Sequence, residues 1–248
     1  MSQKAGAVCV AIAAAIAILS WVQPAAAQEI NIGFGEGTGL TERAVQLVAL
    51  VTVLSLAPSI LVMVTSFTRI VVVLSLLRTA LGTQQAPPNS VVVSLALFLT
   101  AFVMAPVFEQ AYRDGVEPLI NEQVELADAF TRASKPFHAF MMAHVRDKDL
   151  TLFVGLSGAE APATPEEVSL RALVPAFMIS ELRRAFEIGF LLFVPFVVID
   201  MVVASVLMSM GMMMLPPVLI SLPFKLIFFV LVDGWNLVAG SLMQSFGT

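Results

Sequence analysis

The chain has little of what soluble proteins use to face water. Only 12% of its 248 residues are charged, against 58% hydrophobic, and mean hydropathy is +0.93. Soluble domains carry roughly 25% charged residues, so this composition describes an integral membrane protein. Cysteine is nearly absent. Cys9 is the only one and lies in an N-terminal apolar run, so a chain that has shed that run can form no disulfide of its own. Of two histidines, His138 and His144 stand six apart, a spacing that puts no metal pair on one helical face. Neither HExxH nor Gly-x-Ser-x-Gly occurs, and both histidines read as solvated or packing residues. Lys and Arg number 13 and never cluster with aromatics, and net charge is −5. These absences argue against an enzyme, against a metal or cofactor, and against a nucleic-acid partner.

What is present begins with Lys4, an uncharged apolar run from Ala5 to Val22, Pro24, and Ala25-Ala26-Ala27 before Gln28. That order of basic, apolar and small parts describes a cleavable secretory signal over 1–27, cut after Ala27. An uncleaved membrane helix is the alternative. Residues 28–43 hold Gly33, Gly35, Gly37 and Gly39 without a Gly-Lys-Ser/Thr ending, and read as a flexible spacer rather than a phosphate loop.

The fold class is all-α, with about four apolar helical segments and a small helical exported domain. Residues 44–108 hold the first two segments. Ala44 to Thr68 is free of charge and long enough to span, with Pro58 expected to kink it. The apolar character continues to Leu77, GTQQAPPN at 82–89 breaks it, and Ser90 to Phe108 makes the second span. Residues 109–184 hold 12 acidic and 8 basic residues and read as a compact helical domain in water. Within it, Thr164-Pro165-Glu166-Glu167 predicts a helix start by capping box, and Pro175 is expected to begin or bend the long helix that follows. The last segments, in 185–248, run through Met208 and from Val218 to Met243. An exported N-terminus places the loop carrying Arg69 and Arg78 in the cytoplasm, as the positive-inside tendency requires, and 109–184 outside.

The final 62 residues, Glu187 to Thr248, hold four charges: Glu187, Asp200, Lys225 and Asp233. A charge at the centre of a membrane helix costs about 3 kcal/mol on insertion scales, so such groups persist where they face protein, water or one another. Arg183 and Glu187 can pair at i,i+4. Glu181 is left for another partner, and Lys225 has no acid nearby in sequence, with Glu181, Asp200 and Asp233 as candidates. Paired carboxylates also suggest a proton-coupled solute transporter, although no inverted repeat links the two pairs of spans. A scaffold without a conduit is a third reading. The run SMGMMMLPP, at 209–217, sets Met212, Met213 and Met214 at a Gly- and Pro-made turn. Flexible thioethers meeting there from several subunits could close around an opening, and ordinary loop packing is the plainer alternative.

PAFMISELRRAFEIGFLLFVPFVVIDMVVASVLMSMGMMMLPP and the later LPFKLIFFVLVDGW resemble the FliP family of flagellar type III export-gate proteins and its injectisome relatives. SFTRIVVVLSLLRTALGTQQAPPN, at Ser66 to Asn89, is similar to that family's first block, and FHAFMMAHVRDKDLTLF fits its exported domain more loosely. The resemblance implies a pore-forming structural subunit that performs no chemistry and sits in the bacterial inner membrane at the flagellar basal body. It implies five copies assembled with FliQ-like and FliR-like gate subunits, beside FlhA-like and FlhB-like export components. Unfolded rod, hook and filament proteins would pass through. It further implies a methionine gasket at Met212, Met213 and Met214, an intersubunit charge pair of Glu181 and Lys225, and subunit contacts near Phe140 and Phe153. The apolar helices would then be buried largely against each other and raised out of the bilayer plane.

Overall fold

The computed structural model describes residues 40–83, 85–158, 164–212 and 214–247. The signal segment, its Ala27 junction, most of the 28–43 spacer and Met213 lie outside the described residues. The chain divides into two units, Met1–Thr52 and Val53–Thr248. The described part of the first is the opening of helix α1, Leu40–Met63.

Every element among the described residues is helical. α1 runs through Pro58 without ending there. The helix ends further on, and the chain breaks at residues 64–66, where hydroxyls compete for the backbone. Thr65 Oγ1 accepts from the Phe67 N–H at 3.4 Å, and Thr68 Oγ1 donates to the Val62 carbonyl at 3.3 Å. α2, Phe67–Ala80, follows, and its Ile70, Val73, Leu74, Leu77 and Ala80 bury one continuous stripe at helical spacing. After the proline loop comes α3, Asn89–Ala111. It continues through a π-helical turn, Tyr112–Val116, and a short α4, Glu117–Ile120.

The polar region contributes α5, Leu126–His144, and α6, Asp147–Ser157. The expected helix start at Thr164 forms only a single 3-10 turn, Pro165–Glu167, and Thr164 makes no side-chain cap. Val168 is drawn into a small core with Met141, Leu173 and Phe177, which holds its backbone extended. The cap passes to Ser169, whose hydroxyl accepts from the Arg171 N–H, and α7 then runs unbroken over Leu170–Ser209. Pro175 and Pro195 both lie inside it.

Forty residues of helix rise about 60 Å, twice the hydrocarbon thickness of a bilayer. The first half of α7 carries Arg171, Glu181, Arg183, Arg184 and Glu187, whereas Ile188 to Ser209 holds Asp200 alone. One helix therefore starts among charged residues and ends in an apolar stretch, inside the single unit Val53–Thr248. α2 makes its most extensive contact with α7, and the main core lies between them, with α3 and the chain's end completing it.

The last apolar segment is not one helix. α8, Pro217–Leu231, and α9, Gly234–Gln244, meet at 64°. Asp233 turns the corner with φ of 50°, left-handed backbone that Asp tolerates better than most residues. Gly234 permits it, because a β-carbon there would lie 2.2 Å from the Phe229 ring. By length and composition, Asn89–Ile120 and α7 can each cross a membrane, and the α8–α9 pair can if its bend is counted within one span.

Candidate functional site

Two features stand out: an exposed methionine turn between α7 and α8, and two largely buried ion pairs, one joining α2 to α7 and one joining α7 to α8. α7 closes with Gly211 at φ of 74°, the Gly211 N–H donating to Met208 C=O at 3.1 Å and the Met212 N–H to Leu207 C=O at 3.0 Å. This double closure is the Schellman arrangement, which wants glycine at the left-handed position. Pro216 then caps α8 and Pro217 occupies its first turn, where a missing N–H costs nothing. The turn is thus fixed by Gly211 at one side and two prolines at the other. Met214 is 99% exposed, and Met208, Met210 and Met212 are also exposed. Met208 and Met210 extend the thioether cluster beyond the three residues that the sequence pattern singles out. These side chains supply no acid, base or nucleophile. They offer flexible, polarizable apolar surface.

The charges partner differently from the sequence expectation. Glu181 is fully buried and paired with Arg69: Nε lies 2.9 Å from Oε2 and the terminal guanidinium nitrogen 2.5 Å from Oε1. The other guanidinium nitrogen donates to the carbonyl and hydroxyl of Ser245, and the plane lies 3.8 Å from the centroid of Phe246. Arg69 is therefore a core residue and not a loop charge that could report topology. Arg78, the other half of that signal, donates to the Pro87 carbonyl and to Asn89.

Lys225, also buried, donates to Asp200 Oδ2 at 2.6 Å and to the Ala80 carbonyl at 3.4 Å. Ser221, one turn before it on α8, donates to the other oxygen of Asp200. An intersubunit pair of Glu181 with Lys225 would have to displace both intrachain partners. Of the candidates for Lys225, Asp200 is the one that pairs with it inside the chain, tying α8 to α7. Arg183 and Glu187 form the i,i+4 pair their spacing predicts, on an exposed face. Asp233 is exposed at the α8–α9 bend.

Phe140 is half-buried at the junction of the two cores. It lies 5.9 Å from Phe177, 6.3 Å from Phe246 and 4.5 Å from His144 by ring centroids. Much of its surface is thus already used within the chain. Phe153 is half-buried on α6, which packs chiefly on α7. His138 donates from Nε2 to the Val168 carbonyl and His144 from Nδ1 to the Phe140 carbonyl, each at 2.8 Å, which makes both packing residues. Sequence reasoning did not find Ser221, Ser245 or the chain that joins half-buried Arg146 to buried Asp149 and Ser180, in which Ser180 donates to Asp149 Oδ2 at 2.7 Å. No group of three or more metal-ligating His, Cys, Asp or Glu occurs among the described residues.

An all-helical chain with apolar elements of spanning length, buried ion pairs and extensive exposed apolar helix faces belongs to the class of helical membrane proteins. Residues 50–242 match the family model described as the FliP family. The chain is 66% identical to the flagellar biosynthetic protein FliP of Caulobacter vibrioides over 233 residues, 93% of this chain and 88% of that protein. It is 53% identical to the FliP of Bacillus subtilis over 217 residues, 88% of this chain and 98% of that one. For the FliP of Rhizobium meliloti the figures are 56% over 199 residues, covering 79% and 81%. The chain belongs to the FliP family.

Proposed function

We propose that this chain is a pore-forming structural subunit of the flagellar type III protein export gate, required for flagellum biosynthesis. It acts in the inner membrane at the basal body, in about five copies with FliQ-like and FliR-like subunits, and works beside FlhA-like and FlhB-like components. Unfolded rod, hook and filament proteins are its cargo. The observation that carries the reading is the α7–α8 turn, which puts Met208, Met210, Met212 and Met214 on an exposed tip in a member of the FliP family. A ring of such turns closes on itself through thioethers and conforms to each passing side chain at little rotamer cost. The names of the relatives support the flagellar branch over the injectisome.

The exposed apolar faces fit the same reading. Phe190, Leu191, Val194, Val198 and Met201 lie uncovered along α7, and Leu219, Phe224, Ile227 and Val230 along α8. In an assembled gate these faces meet neighbouring subunits. A solute transporter gains no specific support, because Glu181, Asp200 and Glu187 each already hold a cation.

The test is replacement of Met212, Met213 and Met214 together by Ala. Assembly is expected to stay intact while the membrane leaks ions when the export apparatus is open. Unchanged conductance in that variant removes the gasket from the account.

A further inference from the structure

The apolar stripe of α5 outruns the body that it packs against. Leu126, Phe130, Phe137 and Met141 are spaced by four, seven and four residues along one side of the helix. Met141 is fully buried and Phe137 packs edge-on against Phe108 at 5.7 Å. Two turns earlier the same stripe has no cover: Leu126 and Phe130 are 72% and 71% exposed. An amphipathic helix that keeps its apolar face past the end of its own core is built to meet something else.

A second uncovered stripe lies on α6. Its buried Asp149 and half-buried Leu150 and Phe153 line the side that packs on α7, while Leu152 and Leu156 lie along the edge of that side, 53% and 72% exposed. The two stripes match in length, because each leucine or phenylalanine pair is one i,i+4 step, about 6 Å along the axis. They are also complementary in charge. Exposed Glu122, Glu125 and Asp128 surround the start of the α5 stripe, and exposed Lys148 stands one turn before Leu152 on the α6 flank.

We infer that the α5 stripe, Leu126 and Phe130, docks in parallel on the α6 stripe, Leu152 and Leu156, of a second copy of this chain, with Lys148 facing the acidic start of α5. The inference rests on the multi-copy reading above and names the contact within it. Two different patches joined head to tail make a heterologous interface, which is the kind that generates rings.

Cysteine pairing tests it in the full chain, co-expressed with its gate partners in a Cys9→Ser background. Copies bearing Phe130→Cys alone and copies bearing Leu156→Cys alone are expected to give a disulfide-linked mixed dimer when expressed together and oxidised, and no dimer when expressed separately. The Phe130→Cys and Leu156→Cys changes in one chain are expected to give a ladder of higher bands. Dimers from Phe130→Cys alone overturn the head-to-tail arrangement. Native mass spectrometry separates the remaining outcomes. Intact multi-copy complex without any cross-link overturns this interface and leaves the function reading standing, as it would if the stripe lay on lipid. A lone monomer overturns both. As an independent check, Lys148→Glu and Glu125→Lys are each expected to lower the oligomer yield, and combining them to restore it. Failure of the combined variant to recover contradicts the charge match.

Discussion

Arg69 and Glu181 stand 112 residues apart in sequence and meet as a two-point ion pair inside the core, joining α2 to α7. Arg69 also holds Ser245 and Phe246, so a single guanidinium ties the first core helix, the longest helix and the end of the chain. Removing either charge strands the other without water. Glu181→Ala or Arg69→Ala is expected to cost on the order of 3 to 5 kcal/mol, whereas Arg69→Met with Glu181→Leu should recover much of it. Thermal melting of the detergent-purified chain, followed by size-exclusion recovery, reads the difference. Equal losses for the single and double variants would mean that packing, and not the pair, is what matters.

Lys225→Ala should weaken the α7–α8 hairpin, leaving Asp200 with Ser221 alone. Asp200 reaches some solvent, so the loss is expected to be smaller than at Arg69. Ser221→Ala removes one hydrogen bond to a charged oxygen, about 1.5 to 3 kcal/mol. If the hairpin sets the position of the methionine turn, both variants raise ion leakage through the assembled gate. A melting change with conductance at the wild-type level would separate stability from sealing.

The Arg183 and Glu187 pair gives the contrast. Both side chains are about half exposed, where ion pairs contribute little. Glu187→Gln should leave the melting temperature and the yield of the chain unchanged. A large loss would show that this face is buried in the assembly.

Gly234→Ala drives a methyl group into the Phe229 ring, which is itself packed edge-on against Trp235 at 5.3 Å. Overpacking of this kind costs about 1 to 3 kcal/mol. Lowered melting that Phe229→Leu partly relieves is the expected outcome, and an unaffected Gly234→Ala chain would contradict the close approach.

How far the residues alone reach is clearest in these charges. Arg183 and Glu187 are legible because a helix brings i and i+4 together whatever the fold. The turn at Gly211 and Pro216-Pro217 is legible because backbone chemistry decides it locally. Arg69 with Glu181, and Ser221 with Asp200, depend on which helices neighbour one another, and no local rule gives that. The Thr164 capping box failed for a related reason. Burial of Val168 beneath His138 and Phe177 sets the backbone there, and packing overrides a local cap. The α8–α9 bend was hidden because hydropathy is blind to a left-handed Asp233 inside an apolar run.

The central claim is that these sparse charges and exposed thioethers serve an assembly of several subunits. Native mass spectrometry of the tagged full chain, extracted in mild detergent, tests it most directly. The account predicts several copies of this chain bound to FliQ-like and FliR-like subunits. A stable lone monomer that carries a small solute into liposomes would contradict it.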